Sequence, residues 1–515
     1  MTDITADPGT TSPLSLARRL VRSPLTWASV LLGVVIVLAQ RHGPWLSTDS
    51  FYYWSAARSF AAHGHLTEFD GGPLVMFPPG LSLGLGALHF FGLPLAGLVV
   101  ALNAVTFALT LPASYLLLRR VLTARFAALA AVVVTVNGSL ILFNTSLLSD
   151  SLFLVLTAAF LALLVERARS GGLARRDLAV LLALVALGEL WRFTGVALAA
   201  TLAGTYLVLN WRRGAWPALW RTAVLGVLSL LATAAVALRN VIGGSGPFGP
   251  TFRATTPISS VPGQVVRLSG RLVVSNLTTP FNWVPSGGVL AVLTVLGALL
   301  CLASVAGGVL ALVRREPGML VVTFFTTLYW ALLVYAEVTN TQFAMNARLA
   351  APAGLGSLVL LAYALTAVRV AARRVLRALA IALALFIAVT GVVNLLSQAV
   401  RPIVALPTST PTALERVAAR LPATAGILTT DPYGIYWTTG RNVAVVAPYE
   451  GTLCPASCFA DSLGRLRDSV RAGFVRYALF NAAVPAGNIT FLEARGVRLT
   501  LDAVGRGYAL YRVTP

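Results

Sequence analysis

The sequence predicts a polytopic α-helical membrane protein of about eleven transmembrane helices, with a small α/β domain at its C-terminus. Three observations carry that expectation. Hydrophobic residues make up 57% of the 515 and charged residues 11%, with a mean hydropathy of +0.81, a balance far from that of soluble globular domains. Apolar runs long enough to approach a bilayer span alternate with short loops in which arginines cluster, the signature of cytoplasmic loops. Beyond Ser397 the composition turns ordinary and polar, after a linker carrying Pro402, Pro407 and Pro411.

The charge of +21, from 39 basic against 18 acidic residues, would suit nucleic acid if it lay on one face. It lies in the loops instead, so its role is to orient the chain in the membrane, and no nucleic-acid partner is expected. Of three cysteines, Cys301 falls inside an apolar run. Cys454 and Cys458 stand at a spacing that permits a small disulfide loop and, with no nearby histidine or second pair, disfavours zinc.

In chain order, residues 1–24 form a polar cytoplasmic tail, because Arg18, Arg19 and Arg22 precede the first apolar run, from Leu25 to about Gln40. Residues 25–396 form the membrane domain. Its spans read as Pro94 to Leu118, Phe126 to Leu142, Leu152 to Val165, Leu178 to Leu190, Thr194 to Leu209 and Thr222 to Arg239. Further spans follow at Val289 to Val313, Leu320 to Tyr335, a run ending near Arg369, and Leu379 to Leu396. Two long external loops, 41–93 and 243–288, interrupt them. The linker is 397–411, and 412–515 is the extracytoplasmic domain, with helices at Thr412 to Leu421 and Asp461 to Ala472. Its strands are expected at Gly426 to Thr430, Asn442 to Ala447 and Tyr477 to Asn481. No nucleotide-binding glycine pattern occurs there. The protein is expected in the plasma membrane as a multi-pass chain, N-terminus inside and C-terminal domain outside.

The stretch from Ser47 to Leu93 is the most polar and aromatic within the membrane region, and it reads as a functional loop whose tail, Pro78 to Phe91, forms an interfacial helix. Asp49 opens it, followed by Phe51, Tyr52, Tyr53 and Trp54, so its carboxylate would sit at the interface beneath an aromatic belt as a candidate general base. Asp150, at the outer start of a span, is the second candidate; a plain helix N-terminal acid is the competing reading. Glu68 and Asp70 lie in a Gly-rich turn that favours a solvated role. Glu189 stands beside Arg192 and is expected to pair with it. His63, His65, Tyr53 and Glu68 are the candidates for contacts to a sugar or an acceptor.

Five stretches together carry a family resemblance: TDSFYYWSAARSF from Thr48, FPPG from Phe77, NTSLLSDSLF from Asn144, LWRFTG from Leu190 and NARLAAP from Asn346. They resemble the GT-C superfamily of polyprenyl-phosphate-sugar-dependent glycosyltransferases, nearest the protein O-mannosyltransferase and aminoarabinose transferase group. The resemblance implies a GT-C-like membrane domain and a catalytic acid in the first external loop, here Asp49. It also implies a second acid, here Asp150, that assists or approaches a metal. Neither TDSF nor SDSL supplies the paired acids of members with a pronounced metal site, so a divalent metal is not indicated. A lipid-phosphate leaving group calls for arginines, and Arg348 and Arg192 come first, with Arg58 and Arg271 in the loops behind them.

The expected activity is transfer of a sugar from a polyprenyl-phosphate donor to a hydroxyl of a glycan, lipid or protein acceptor on the extracytoplasmic face, with inversion. Two alternatives remain open: a flippase or transporter of lipid-linked saccharide, and a non-catalytic membrane subunit with an external ligand-binding domain. Polar residues concentrated in loops rather than mid-span favour the enzyme.

Overall fold

The computed structural model describes residues 23–69, 71–211, 214–249, 258–263, 265–266, 287–339, 347–366, 370–400 and 412–422. In the C-terminal region it describes 425–429, 435–436, 439, 443–445, 470–473, 475–480, 490, 493, 496–505 and 508–515. Cys454, Cys458, Asp70, Arg271 and most of the expected helix at Asp461 to Ala472 lie outside the described residues.

Helix α1 (Pro24–Ala39) begins on a proline whose fixed φ suits a first turn. The stretch expected to be a loop is largely helical. α2 (Thr48–His63) starts at a capping box between Ser47 and Ser50 and stops at Gly64, whose φ of 75° takes the left-handed C-cap. The helix read from Pro78 to Phe91 is present as α3 (Gly80–Phe90), with Leu88, Phe90 and Phe91 exposed at its far end. α4 (Leu95–Leu118) is a full-length apolar helix, and the next expected span divides into α5 (Ala124–Thr135) and α6 (Gly138–Asn144).

α7 (Asp150–Arg169) is the most deeply packed of the long helices, 72% of its apolar window being buried in protein. α8 (Arg175–Trp191) gives way to an extended Arg192 and a short 3₁₀ turn, Phe193–Gly195, before α9 (Val196–Asn210). That turn needs a glycine, since a Cβ on Gly195 would lie 2.5 Å from the backbone nitrogen of Glu189. α10 (Ala215–Ser229) and α11 (Leu231–Ile242) form one path bent by 46°. Glu189 does not pair with Arg192. Its Oε2 accepts the Thr233 backbone N–H at 3.0 Å, satisfying one of the orphan donors in the first turn of α11.

α12 (Gly287–Val313), α13 (Pro317–Thr339), α14 (Ala347–Leu365) and α15 (Val370–Val400) complete the bundle. Among the described residues, five helices are long and apolar enough to cross a membrane, six if α10 and α11 count as one span. The expected count of eleven includes shorter apolar helices such as α1 and α5, of 16 and 12 residues. One continuous apolar core joins α4, α5 and α7 through α9 to α13 and α14, around Phe153, Phe160, Phe325 and Tyr329. At the end of α7 remote from Asp150, Arg169 pairs with Glu316 at 2.8 Å and Arg120 with Glu166.

After α16 (Ala413–Arg420), capped by Thr412 and Glu415, come β1 (Gly426–Thr429), β2 (Val443–Val445), β3 (Val475–Phe480), β4 (Arg498–Gly505) and β5 (Tyr508–Thr514). They form one sheet of order β2-β1-β3-β5-β4. β1 pairs in parallel with β2 and β3, while β3–β5 and β5–β4 are antiparallel. The expected strands are present, and the final antiparallel pair extends the sheet beyond them.

Candidate functional site

Two chain segments distant in sequence are laid side by side before any catalytic group is placed. The backbone N–H of Trp45 donates to Thr145 O at 2.9 Å, and that of Leu147 to Trp45 O at 3.4 Å. Gln40 Nε2 donates to Asn144 O at 2.7 Å, and Ser50 Oγ to Leu147 O at 2.9 Å. Apart from the half-buried Trp45, the residues joined are buried, so an unmade bond there would carry a desolvation penalty. The seam therefore sets the start of α2 against the start of α7, and with them Asp49 against Asp150.

Between the two acids stands Arg348, at the beginning of α14. Its Nη2 lies 2.6 Å from Asp49 Oδ2 and its Nε 3.6 Å from Asp150 Oδ2. Arg192 pairs through Nη1 with Asp150 Oδ1 and lies 3.4 Å from Ser149 Oγ. Acid and base thus alternate, Asp49, Arg348, Asp150, Arg192, with no net charge. Such balance is what allows charges to be buried, since any one left alone would cost several kcal/mol. Burial differs along the row and is deepest at Asp150. The side chain of Asp150 is 7% exposed and that of Asp49 26%, so Asp150 braces both arginines from within while Asp49 ends the row toward open space.

Tyr53 lies one turn beyond Asp49 on the same face of α2, 2% exposed, with its hydroxyl 3.0 Å from Ser149 Oγ. Burial pushes its phenol far above the ordinary tyrosine range, against the opposing pull of Arg192. It therefore packs against the row from behind, buried and bonded to Ser149, where the sequence suggested a residue open to a sugar or an acceptor. Ser149, which links Tyr53 to Arg192, was within the NTSLLSDSLF stretch but was not singled out.

The four strongest sequence candidates, Asp49, Asp150, Arg348 and Arg192, thus converge; others do not. Arg58 follows Asp49 by nine residues, two and a half turns, which puts it on the opposite side of α2. There its guanidinium sits 6.0 Å from the Tyr436 ring centroid. His63 and His65 stack with ring centroids 5.6 Å apart at the far end of α2, some 20 Å along the helix axis from Asp49. Glu68 is buried rather than solvated: its Oε1 accepts the Val75 N–H at 3.2 Å, inside a turn closed by Leu74 N–H to Leu66 O.

Among the described residues no three His, Cys, Asp or Glu side chains converge as metal ligands. The donor set at Asp49 and Asp150 is also a poor fit for a divalent ion, because a guanidinium occupies the space between the two carboxylates. A cavity of about 350 Å³ opens toward the far end of α2, lined by Phe60, Leu66, Leu74, Val75, Leu83 and Arg239. Arg239, which the sequence reading treated only as a span end, holds the Phe77 carbonyl through Nη2 at 3.1 Å.

The sequence matches no protein-family model and no curated protein. Solved structures do match. ArnT from Cupriavidus metallidurans superposes in its apo state with a TM-score of 0.55 at 13% identity, over 98% of each chain. Bound to undecaprenyl phosphate it gives 0.53 at 14%, over 97% of this chain and 98% of that one. The oligosaccharyltransferase of Archaeoglobus fulgidus gives 0.50 at 15% identity, over 93% of this chain and 72% of that one. These are GT-C glycosyltransferases, and the chain has the GT-C fold.

Proposed function

We propose that this GT-C-fold protein transfers a sugar from a polyprenyl-phosphate donor to an acceptor hydroxyl at the extracytoplasmic face of the membrane. The convergence of Asp49, Arg348, Asp150 and Arg192 at one end of the bundle carries the reading. A donor of this class is supported by the similar ArnT structure, which holds undecaprenyl phosphate.

In this reading Asp49 is the general base. Arg348 engages its Oδ2, and we assign proton acceptance to Oδ1. As the acceptor oxygen bonds to the anomeric carbon, its proton passes to Asp49. The bond from that carbon to the phosphate oxygen breaks, and the electron pair leaves with the lipid phosphate. Arg348 and Arg192 stabilise the charge that develops there, through fork geometry suited to phosphate oxygens. Asp150 holds both guanidinia in place and takes no proton. One displacement inverts the anomeric carbon, and no protein nucleophile or metal is needed.

The test is to incubate purified protein in lipid with radiolabelled polyprenyl-phosphate sugars and candidate acceptors. Asp49→Asn should fold as wild type and lose about 100- to 10,000-fold in turnover. Equal transfer by the variant would overturn the base assignment. Transfer from nucleotide sugars alone would overturn the donor, and donor translocation without transfer would favour a carrier.

A further inference from the structure

The C-terminal unit and the acid–arginine row are connected by an unbroken path of packed rings. Tyr436, 5% exposed, lies 6.2 Å from Phe69, and Phe69 lies 4.8 Å from Tyr52 of α2. Tyr52 meets Phe77 at 5.7 Å, and Phe77 meets Tyr53 at 4.8 Å. From there the path becomes polar: Tyr53 hydroxyl to Ser149 Oγ at 3.0 Å, and Ser149 to Arg192 at 3.4 Å. Arg58 clasps the outer end by standing over Tyr436, while Arg239 fixes Phe77 by its carbonyl. Leu414, Ile427, Ile435 and Leu510 of the C-terminal unit share one apolar cluster with Phe51 and Trp54 of α2.

We propose that Tyr436 is a positioning residue for sugar transfer, acting through Phe69, Tyr52 and Phe77 to fix Tyr53 and thereby Arg192. The proposal rests on the transferase reading above. Its consequence is that the C-terminal unit is a working part of the catalytic centre. Phe69 is 1% exposed and Tyr53 2%, and close-packed rings respond to a removed neighbour by shifting or leaving a void. A displacement of about 1 Å at the reacting groups is enough to cost on the order of 100-fold in rate.

The experiment uses the full-length protein in lipid nanodiscs and two readouts, transfer kinetics with a radiolabelled polyprenyl-phosphate sugar and hydrogen exchange of the amides of residues 48–53 and 147–150. Tyr436→Ala should lower kcat at least tenfold with the donor KM within twofold of wild type, and should speed exchange in both segments. Tyr436→Phe keeps the ring stack and should stay within twofold on every readout. Phe77→Leu should reproduce the kcat loss, and the Tyr436→Ala, Phe77→Leu double variant should be no slower than the worse single one. If Tyr436→Ala does not fold, Tyr436→Leu, which keeps volume without the ring, replaces it. Unchanged exchange in a folded variant overturns the proposal, as does additive loss in the double variant. Wild-type protein that transfers from no donor of this class sinks the transferase reading instead, and the exchange data still decide whether Tyr436 orders the site.

Discussion

Asp49 and Asp150 are chemically alike and differ in what surrounds them, so the same substitution should act differently on each. Asp150 touches both Arg192 and Arg348, and is the more deeply buried acid. Asp150→Asn would leave two buried guanidinia short of their counter-charge, so it should destabilise the fold by about 3–5 kcal/mol as well as abolish transfer. Thermal unfolding in detergent reads the difference from Asp49→Asn, which should melt near wild type. Tyr53 offers a pH signature. Its phenol is raised by burial, so the native state holds its proton longer than the unfolded chain. The stability it contributes is therefore complete below the unfolded value of about 10 and declines as pH rises past it. Tyr53→Phe should lose the Ser149 bond and turnover at neutral pH, yet unfold less steeply than wild type above about pH 10, measured by circular dichroism.

At the scale of elements, the turn between α8 and α9 governs where Arg192 points. Arg192 is extended, and the 3₁₀ turn that follows folds back so closely that Gly195 meets the backbone of Gly188 and Glu189. Backbone cannot move aside as a flexible side chain can. Gly195→Ala should accordingly open the turn, cost about 1–3 kcal/mol and cut transfer by displacing Arg192, whereas alanine at Gly172, which has open space around it, should leave both unchanged. Melting temperature and turnover measured side by side check the contrast. The same region shows how helix context redirects a charge: Glu189, next but two to Arg192 in sequence, faces the first turn of α11 instead.

Across the whole molecule, the bundle supplies a rigid floor and the C-terminal unit presses on the helix that carries the candidate base. The sequence by itself determined the membrane class, most helix positions and the identity of the four convergent charged residues. Hydrophobic runs and span-end arginines are local signals that survive without coordinates. It also contains the helical spacing that separates Arg58 from Asp49, but the aromatic and polar residues of α2 give no clear apolar period to mark that spacing as helical. Burial of Tyr53 and Glu68 was likewise hidden, since a tyrosine or glutamate beside a membrane is equally at home in solvent or under a neighbouring element. Only the tertiary structure decided that Arg348 inserts between Asp49 and Asp150, and that Tyr436 reaches Phe69. Those contacts join segments hundreds of residues apart, and their energy comes from packing and paired desolvated charge, which no local pattern encodes.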